Sequence, residues 1–167
     1  MHRFVKAVAF DFGHTLLDET AQRAPLHLMP GVREILPGID VPMAVWANTR
    51  TAREPEIRRI LRTVQIEQYF SMVVTSCDAG FRKPAPEFFQ FALSKWPFAR
   101  NEVLFVGNQL NTDVLGGESF GIRTAWLAAP EFRTVDETMT LEDVRPSFIL
   151  SRLADLCPLL EQIAIRA

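Results

Sequence analysis

The chain has 167 residues, 48% of them apolar and 23% charged, the proportions of an ordinary globular protein. That excludes a disordered chain, a collagen-like fibre and a charge-rich tail. With 18 Lys and Arg against 20 Asp and Glu the net charge is -2, which argues against binding nucleic acid by neutralising phosphates, although a locally basic site stays open.

Val5 to Phe10 is a short apolar, β-branched run that ends at a charge, Asp11, and reads as a buried strand. A short helix is expected near Gly31 to Leu36. Val41 to Ala47 is a second strand, ending in Asn48-Thr49-Arg50. From Glu54 to Val64 the apolar residues Ile57, Ile60, Leu61 and Val64 form one helical stripe, with Arg58, Arg59 and Arg62 on a solvated face. Met72 to Thr75 reads as a third strand. Pro84 to Trp96 opens with prolines and Glu87, as helix N-termini do. Its Phe88, Phe89, Phe91 and Ala92 are too wide for one stripe, so one side is read as core and the other as a homodimer contact. Val103 to Val106 is a fourth strand, Asn111 to Phe120 a helix stopped by Gly121, and Arg123 to Leu127 a fifth strand. Ala128 to Pro146 is unpatterned, a loop or a mobile flap. Phe148 to Leu150 adds a sixth strand and Leu153 to Ile165 a last helix.

Alternating helices and continuously apolar strands define a parallel sheet covered on both faces. One domain over 1–167 is expected. Cys77 and Cys157 fit no metal spacing and are too few for a disulfide framework, so they read as reduced, buried thiols. No apolar run approaches the ~18 residues of a membrane span. Asp11 comes too early for a signal-peptide core, and a cytoplasmic location is expected.

In such a sheet, ligands sit beyond the carboxyl ends of the strands. That rule selects Asp11, Gly13, His14 and Thr15 after the first strand, and Asn48, Thr49 and Arg50 after the second. After the fourth it selects Gly107, Asn108 and, a turn later, Asp113. A carboxylate like Asp11 serves as a nucleophile, as a metal ligand or, more blandly, as a turn cap. Thr49 offers a hydroxyl and an N–H to an oxyanion. Lys83 precedes a helix start, where the helix dipole disfavours a cation, so an anionic partner is expected. Asp113 is either a helix cap or a site carboxylate. Arg50 and Arg53 either meet an anionic substrate or belong to a solvated helix start.

Taken in order, Asp11-Phe12-Gly13-His14-Thr15-Leu16, Trp46-Ala47-Asn48-Thr49, Arg82-Lys83-Pro84-Ala85-Pro86 and Val103 to Asp113 with Val114-Leu115-Gly116-Gly117 resemble the four motifs of the haloacid dehalogenase superfamily. The resemblance covers about residues 4–127. It implies a three-layer Rossmann-like α/β fold, a parallel sheet of five to six strands with helices on both faces. It also implies hydrolysis of a phosphate monoester through an aspartyl-phosphate on Asp11. Mg2+ would be held by Asp11, the Gly13 carbonyl, Asn108 and Asp113. Thr49 and Lys83 would bind the phosphoryl oxygens, with Asn48 and Arg50 beside them. Lys83 would also offset repulsion between Asp11, Asp113 and an incoming dianion.

Two positions depart from that pattern. Phosphatases of the superfamily carry a second Asp two residues after the nucleophile as general acid and base, where this chain has Gly13. Positioned acid/base catalysis contributes ~10²–10⁴-fold, and His14, of ordinary pKa about 6.5, is the nearest replacement. Asn108 stands where relatives carry a metal-binding Asp; its amide oxygen still ligates Mg2+, with one negative charge fewer. Three readings follow: a phosphatase with altered acid/base groups, chemistry at a carbon bond, or a catalytically impaired domain that binds a phosphorylated ligand or a protein partner. The carbon-bond branches depend on a cap domain, and the intervals 14–47 and 84–107 are too short to hold one. The rim is therefore expected to lie open to a phosphorylated substrate, a large one included.

Overall fold

The computed structural model describes residues 5–19, 25–128 and 138–165. Part of the Ala128 to Pro146 segment, residues 129–137, lies outside the described residues. The described residues form eight strands: β1 Ala7–Phe10, β2 Leu17–Asp18, β3 His27–Leu28, β4 Met43–Ala47, β5 Phe70–Thr75, β6 Val103–Gly107, β7 Arg123–Leu127 and β8 Phe148–Leu150. Six of them form one sheet in the order β5-β4-β1-β6-β7-β8, every pair parallel. The remaining two, β2 and β3, pair with each other antiparallel.

Side-chain alternation along the strands builds the three layers. Val8 and Phe10 of β1 face one core with Val45, Leu104 and Val106, closed by Val32, Ile57, Leu61 and Leu156. These last come from α1 (Val32–Ile35), α2 (Glu54–Thr63) and α6 (Leu156–Ile165). Ala7 and Ala9 face the opposite core with Trp46 and Phe105, closed by Phe88, Phe89 and Ala92 of α4 (Pro86–Ser94). Alanines on that face of β1 leave room for aromatic rings: Trp46 lies 5.3 Å from Phe105 and 6.1 Å from Phe89, centroid to centroid. Phe91 is half-buried, with Lys95 Nζ 5.3 Å above its ring.

Several boundaries differ from the sequence expectation. Strand β5 begins at Phe70, two residues early. Ser71 is an extra, exposed residue where the register with β4 shifts, and its hydroxyl donates to the Met43 carbonyl at 3.1 Å. The expected Asn111 to Phe120 helix is a wide π turn over Leu110–Val114 followed by α5, Leu115–Phe120. The last helix likewise starts as a 3-10 turn, Leu153–Asp155. Cys77 and Cys157 are free but only half-buried. No helix among the described residues is long and apolar enough to cross a membrane.

Strand β1 is the switch point. The chain leaves it for β4 and β5 on one side and returns to β6, β7 and β8 on the other, which opens a crevice at the carboxyl ends of β1, β4 and β6. Between β1 and α1 the described residues hold the small β2–β3 pair. Between α3 (Ser76–Ala79) and α4 lies the loop that carries Lys83.

Candidate active site

Asp11 follows β1 directly and is 9% exposed. Its backbone N–H continues the sheet by donating to the Val106 carbonyl at 2.8 Å. Lys83 reaches the same point from the loop before α4, and its side chain is 1% exposed. The ammonium donates to Asp11 Oδ1 at 2.7 Å, to Asp113 Oδ1 at 2.8 Å and to the Trp46 carbonyl at 2.8 Å. The face of Phe105 stands 5.0 Å away. Burial alone would push the Lys83 ammonium down, but the carboxylates of Asp11 and Asp113 outweigh it and hold its pKa above the ordinary lysine value. The anionic partner expected for a cation before a helix start is thus two carboxylates.

Asp113 is delivered by the π turn, whose extra width swings the residue back under the end of β6. Gly107 permits that approach: a Cβ on residue 107 would lie 2.5 Å from Asp113 Oδ2. That oxygen also accepts from the Gln109 N–H at 3.1 Å. Burial, then the charge of Asp11, pushes Asp113 up to about 6, against the pull of Lys83. Between its ordinary 3.8 and about 6, the folded chain keeps a proton there that the unfolded chain has released. The stability this group contributes therefore falls as pH rises through that window. In the metal-free chain at pH 7.5, Asp113→Asn is expected to raise stability by about 1–3 kcal/mol. A thermal melt reads this as a gain of about 2–4 °C per kcal/mol, and a lower Tm would show that Lys83 needs both carboxylates.

Asn108, 3% exposed, is anchored by Trp126, whose indole N–H donates to the Asn108 carbonyl at 3.0 Å. Its side-chain amide stands against two oxygens. Turned nitrogen-inward, it donates to Asp11 Oδ2 at 3.1 Å and to the Gly13 carbonyl at 3.3 Å. Turned oxygen-inward, it brings three oxygens together, as a hard dication requires. Two buried carboxylates against one ammonium leave the crevice with excess negative charge, which points the same way. Asp11, Gly13 and Asn108 therefore fit Mg2+, while both oxygens of Asp113 are engaged by Lys83 and Gln109. Among the described residues no group of three or more His, Cys, Asp or Glu is placed to hold a metal; the donor set rests on a backbone carbonyl and an amide.

The residues after β4 are placed differently from each other. Asn48 clamps the Lys83 backbone from both sides, donating to its carbonyl at 2.9 Å and accepting from its N–H at 2.9 Å. It positions the lysine. The Thr49 hydroxyl donates to the Ala52 carbonyl at 2.6 Å, and the Thr49 N–H donates to Ser76 Oγ at 2.9 Å. Both Thr49 donors thus stabilise the loop into α2. Arg50 is exposed on the rim, as is Arg82, whose guanidinium donates to the Thr49 carbonyl at 2.7 Å. Arg53 lies 3.5 Å from Asp78.

After Asp11 the chain reverses sharply. Leu16 and Leu17 both donate to the Phe12 carbonyl, at 2.9 and 3.0 Å, and His14 donates to the Leu17 carbonyl at 2.7 Å. His14 takes a left-handed φ of 55 and is half-buried. The buried Thr15 hydroxyl donates to Asp11 Oδ2 at 3.3 Å. The reversal also brings in Glu19, which motif reading missed: its carboxylate covers Gly13.

A site of this composition at this switch point defines a class. The sequence profile of the haloacid dehalogenase-like hydrolases matches residues 16–127, and the chain belongs to that family. The match begins just past Asp11 to Thr15, the stretch where the first motif departs from the usual pattern. Among curated proteins, the chain is similar to pyrophosphatase PpaX of Bacillus mycoides (strain KBAB4). The two are 32% identical over 103 residues, 62% of this chain and 46% of that protein. The chain spans about half the length of the curated relatives it matches, 46% and 52% in two of them. A crystal structure of an uncharacterized protein from Listeria monocytogenes serotype 4b superposes with a TM-score of 0.81 at 25% identity, covering 95% of this chain and 98% of that one. The magnesium-bound crystal structure of YfnB from Bacillus subtilis has a TM-score of 0.77 at 16% identity, covering 93% and 98%; it shares the fold.

Proposed function

We propose that this chain hydrolyses phosphate monoesters with Mg2+, through an aspartyl-phosphate on Asp11. The observation that carries the reading is the Asp11 carboxylate 2.7 Å from a buried ammonium, at the mouth of the switch-point crevice. Lys83 holds that carboxylate aimed, and the same ammonium would offset the charge of an arriving phosphoryl group. Asp113 and the Trp46 carbonyl fix the ammonium, and Asn48 fixes the peptide that carries it. Asp11, the Gly13 carbonyl and Asn108 would hold Mg2+, with Asp113 adding its charge from across Lys83; when bound, the ion neutralises charge on the transferring oxygens.

Attack by Asp11 displaces the alcohol and leaves a mixed anhydride, which water then cleaves. The exposed Arg50 and Arg82 on the rim favour an anionic substrate. The magnesium recorded for YfnB and the pyrophosphatase named among the relatives support the same chemistry. In the test, the chain is mixed with Mg2+ and p-nitrophenyl phosphate, quenched in acid and digested. One phosphoryl group is expected on the peptide containing Asp11. Turnover with the label on any other residue refutes the mechanism.

A further inference from the structure

The missing carboxyl at residue 13 is not missing from the space. A Cβ on Gly13 would lie 2.5 Å from Glu19 Oε2, 2.6 Å from the Glu19 carboxyl carbon and 2.9 Å from Oε1. The Glu19 carboxylate thus occupies the space that a side chain on residue 13 would enter. We infer that Glu19 is the general acid and base of this site, supplied from six positions along the chain in place of a side chain on residue 13. The inference rests on the phosphoaspartyl reading and deepens it.

The local fold makes the substitution possible. The reversal at Phe12 to Leu17 sets Gly13 and Leu17 side by side in an isolated bridge. Strand β2 then pairs with β3, so the chain emerges at Glu19 directly over the turn. Glycine at 13 leaves that space open to the Glu19 carboxylate, which a side chain on residue 13 would have to push aside. Glu19 is exposed at the crevice mouth, where a leaving alcohol departs and a water enters. His14, the nearest alternative in sequence, sits within the turn itself, its backbone N–H donating to the Leu17 carbonyl at 2.7 Å.

The chemistry balances. As Asp11 bonds to phosphorus, the bond from phosphorus to the leaving oxygen breaks, and that oxygen takes the proton of the Glu19 carboxyl. The Glu19 carboxylate then takes a proton from water as the water oxygen bonds to phosphorus and the phosphorus–Asp11 bond breaks. Inorganic phosphate leaves, and both side chains return to their starting states.

The two half-reactions separate in the test. p-Nitrophenolate leaves readily without a proton, whereas water needs a base. With p-nitrophenyl phosphate and Mg2+, Glu19→Gln is expected to release one equivalent of p-nitrophenolate in a burst. It should then turn over about 10²-fold or more slowly, with phosphorylated Asp11 accumulating in acid-quenched samples. Adding Gly13→Asp to Glu19→Gln should restore steady-state turnover and remove the accumulated phosphoenzyme. Wild-type turnover by Glu19→Gln, with no accumulation, overturns the assignment. So does a loss that comes entirely from weaker Mg2+ binding by calorimetry, with dephosphorylation unchanged. If wild-type chain neither turns over nor labels on Asp11, the hydrolase reading itself falls, and Glu19 loses its role with it.

Discussion

Lys83→Met is expected to cost the fold and the chemistry together. Methionine keeps the stem and removes the charge, leaving Asp11 and Asp113 facing each other in a crevice where Asp113 is 1% and Asp11 9% exposed. Removing one member of a buried ionic group costs about 3–5 kcal/mol. For a chain of this size that lowers Tm by roughly 6–20 °C, read in a melt of metal-free protein at neutral pH. The loss should shrink on acidification, because Asp113, already pushed up to about 6, then protonates and the repulsion ends. Hydrolysis should fall at least ~10³-fold, as the transferring oxygens lose their fixed cation. A melt unshifted at neutral pH would mean that the ammonium is not the counter-charge the distances indicate.

Asp11→Asn separates these two consequences. The amide is isosteric and relieves the repulsion with Asp113, while Lys83 keeps Asp113 and the Trp46 carbonyl at 2.8 Å each. The variant is expected to fold with unchanged or higher Tm. It has no nucleophile, so turnover of p-nitrophenyl phosphate should drop about 10⁴–10⁶-fold, with no label retained after acid quench. Activity that persisted in this variant would falsify the aspartyl-phosphate.

The residues that meet in the crevice were legible because each follows a strand end. Continuous apolar runs gave β1, β4 and β6, and the rule that ligands bind at carboxyl ends then selected Asp11, Asn48, Asn108 and Asp113 without coordinates. Lys83 announced itself as a cation at a helix start, where the dipole opposes it. Glu19 carried no such signal. Its position depends on a six-residue reversal and on two strands of two residues each, too short for any periodicity to register. Thr49 shows what a linear pattern leaves out. A hydroxyl just past a strand looks available to an oxyanion, yet Ala52 and Ser76 engage its donors, and a one-dimensional pattern cannot show that competition. The π turn over Leu110–Val114 was hidden as well, because its residues read equally as the opening of an ordinary helix.

The ammonium of Lys83 fastens the end of β1 through Asp11, the end of β4 through the Trp46 carbonyl and the turn beyond β6 through Asp113. It acts as a keystone where three strands would otherwise end in unanswered charge and an open carbonyl. A descendant of this chain that abandoned turnover would still be obliged to retain a lysine there, or to lose both acids at once. Among diverged sequences, then, that lysine testifies to architecture, while the carboxylate it holds, which the fold can surrender for an amide, is the trustworthy witness of chemistry.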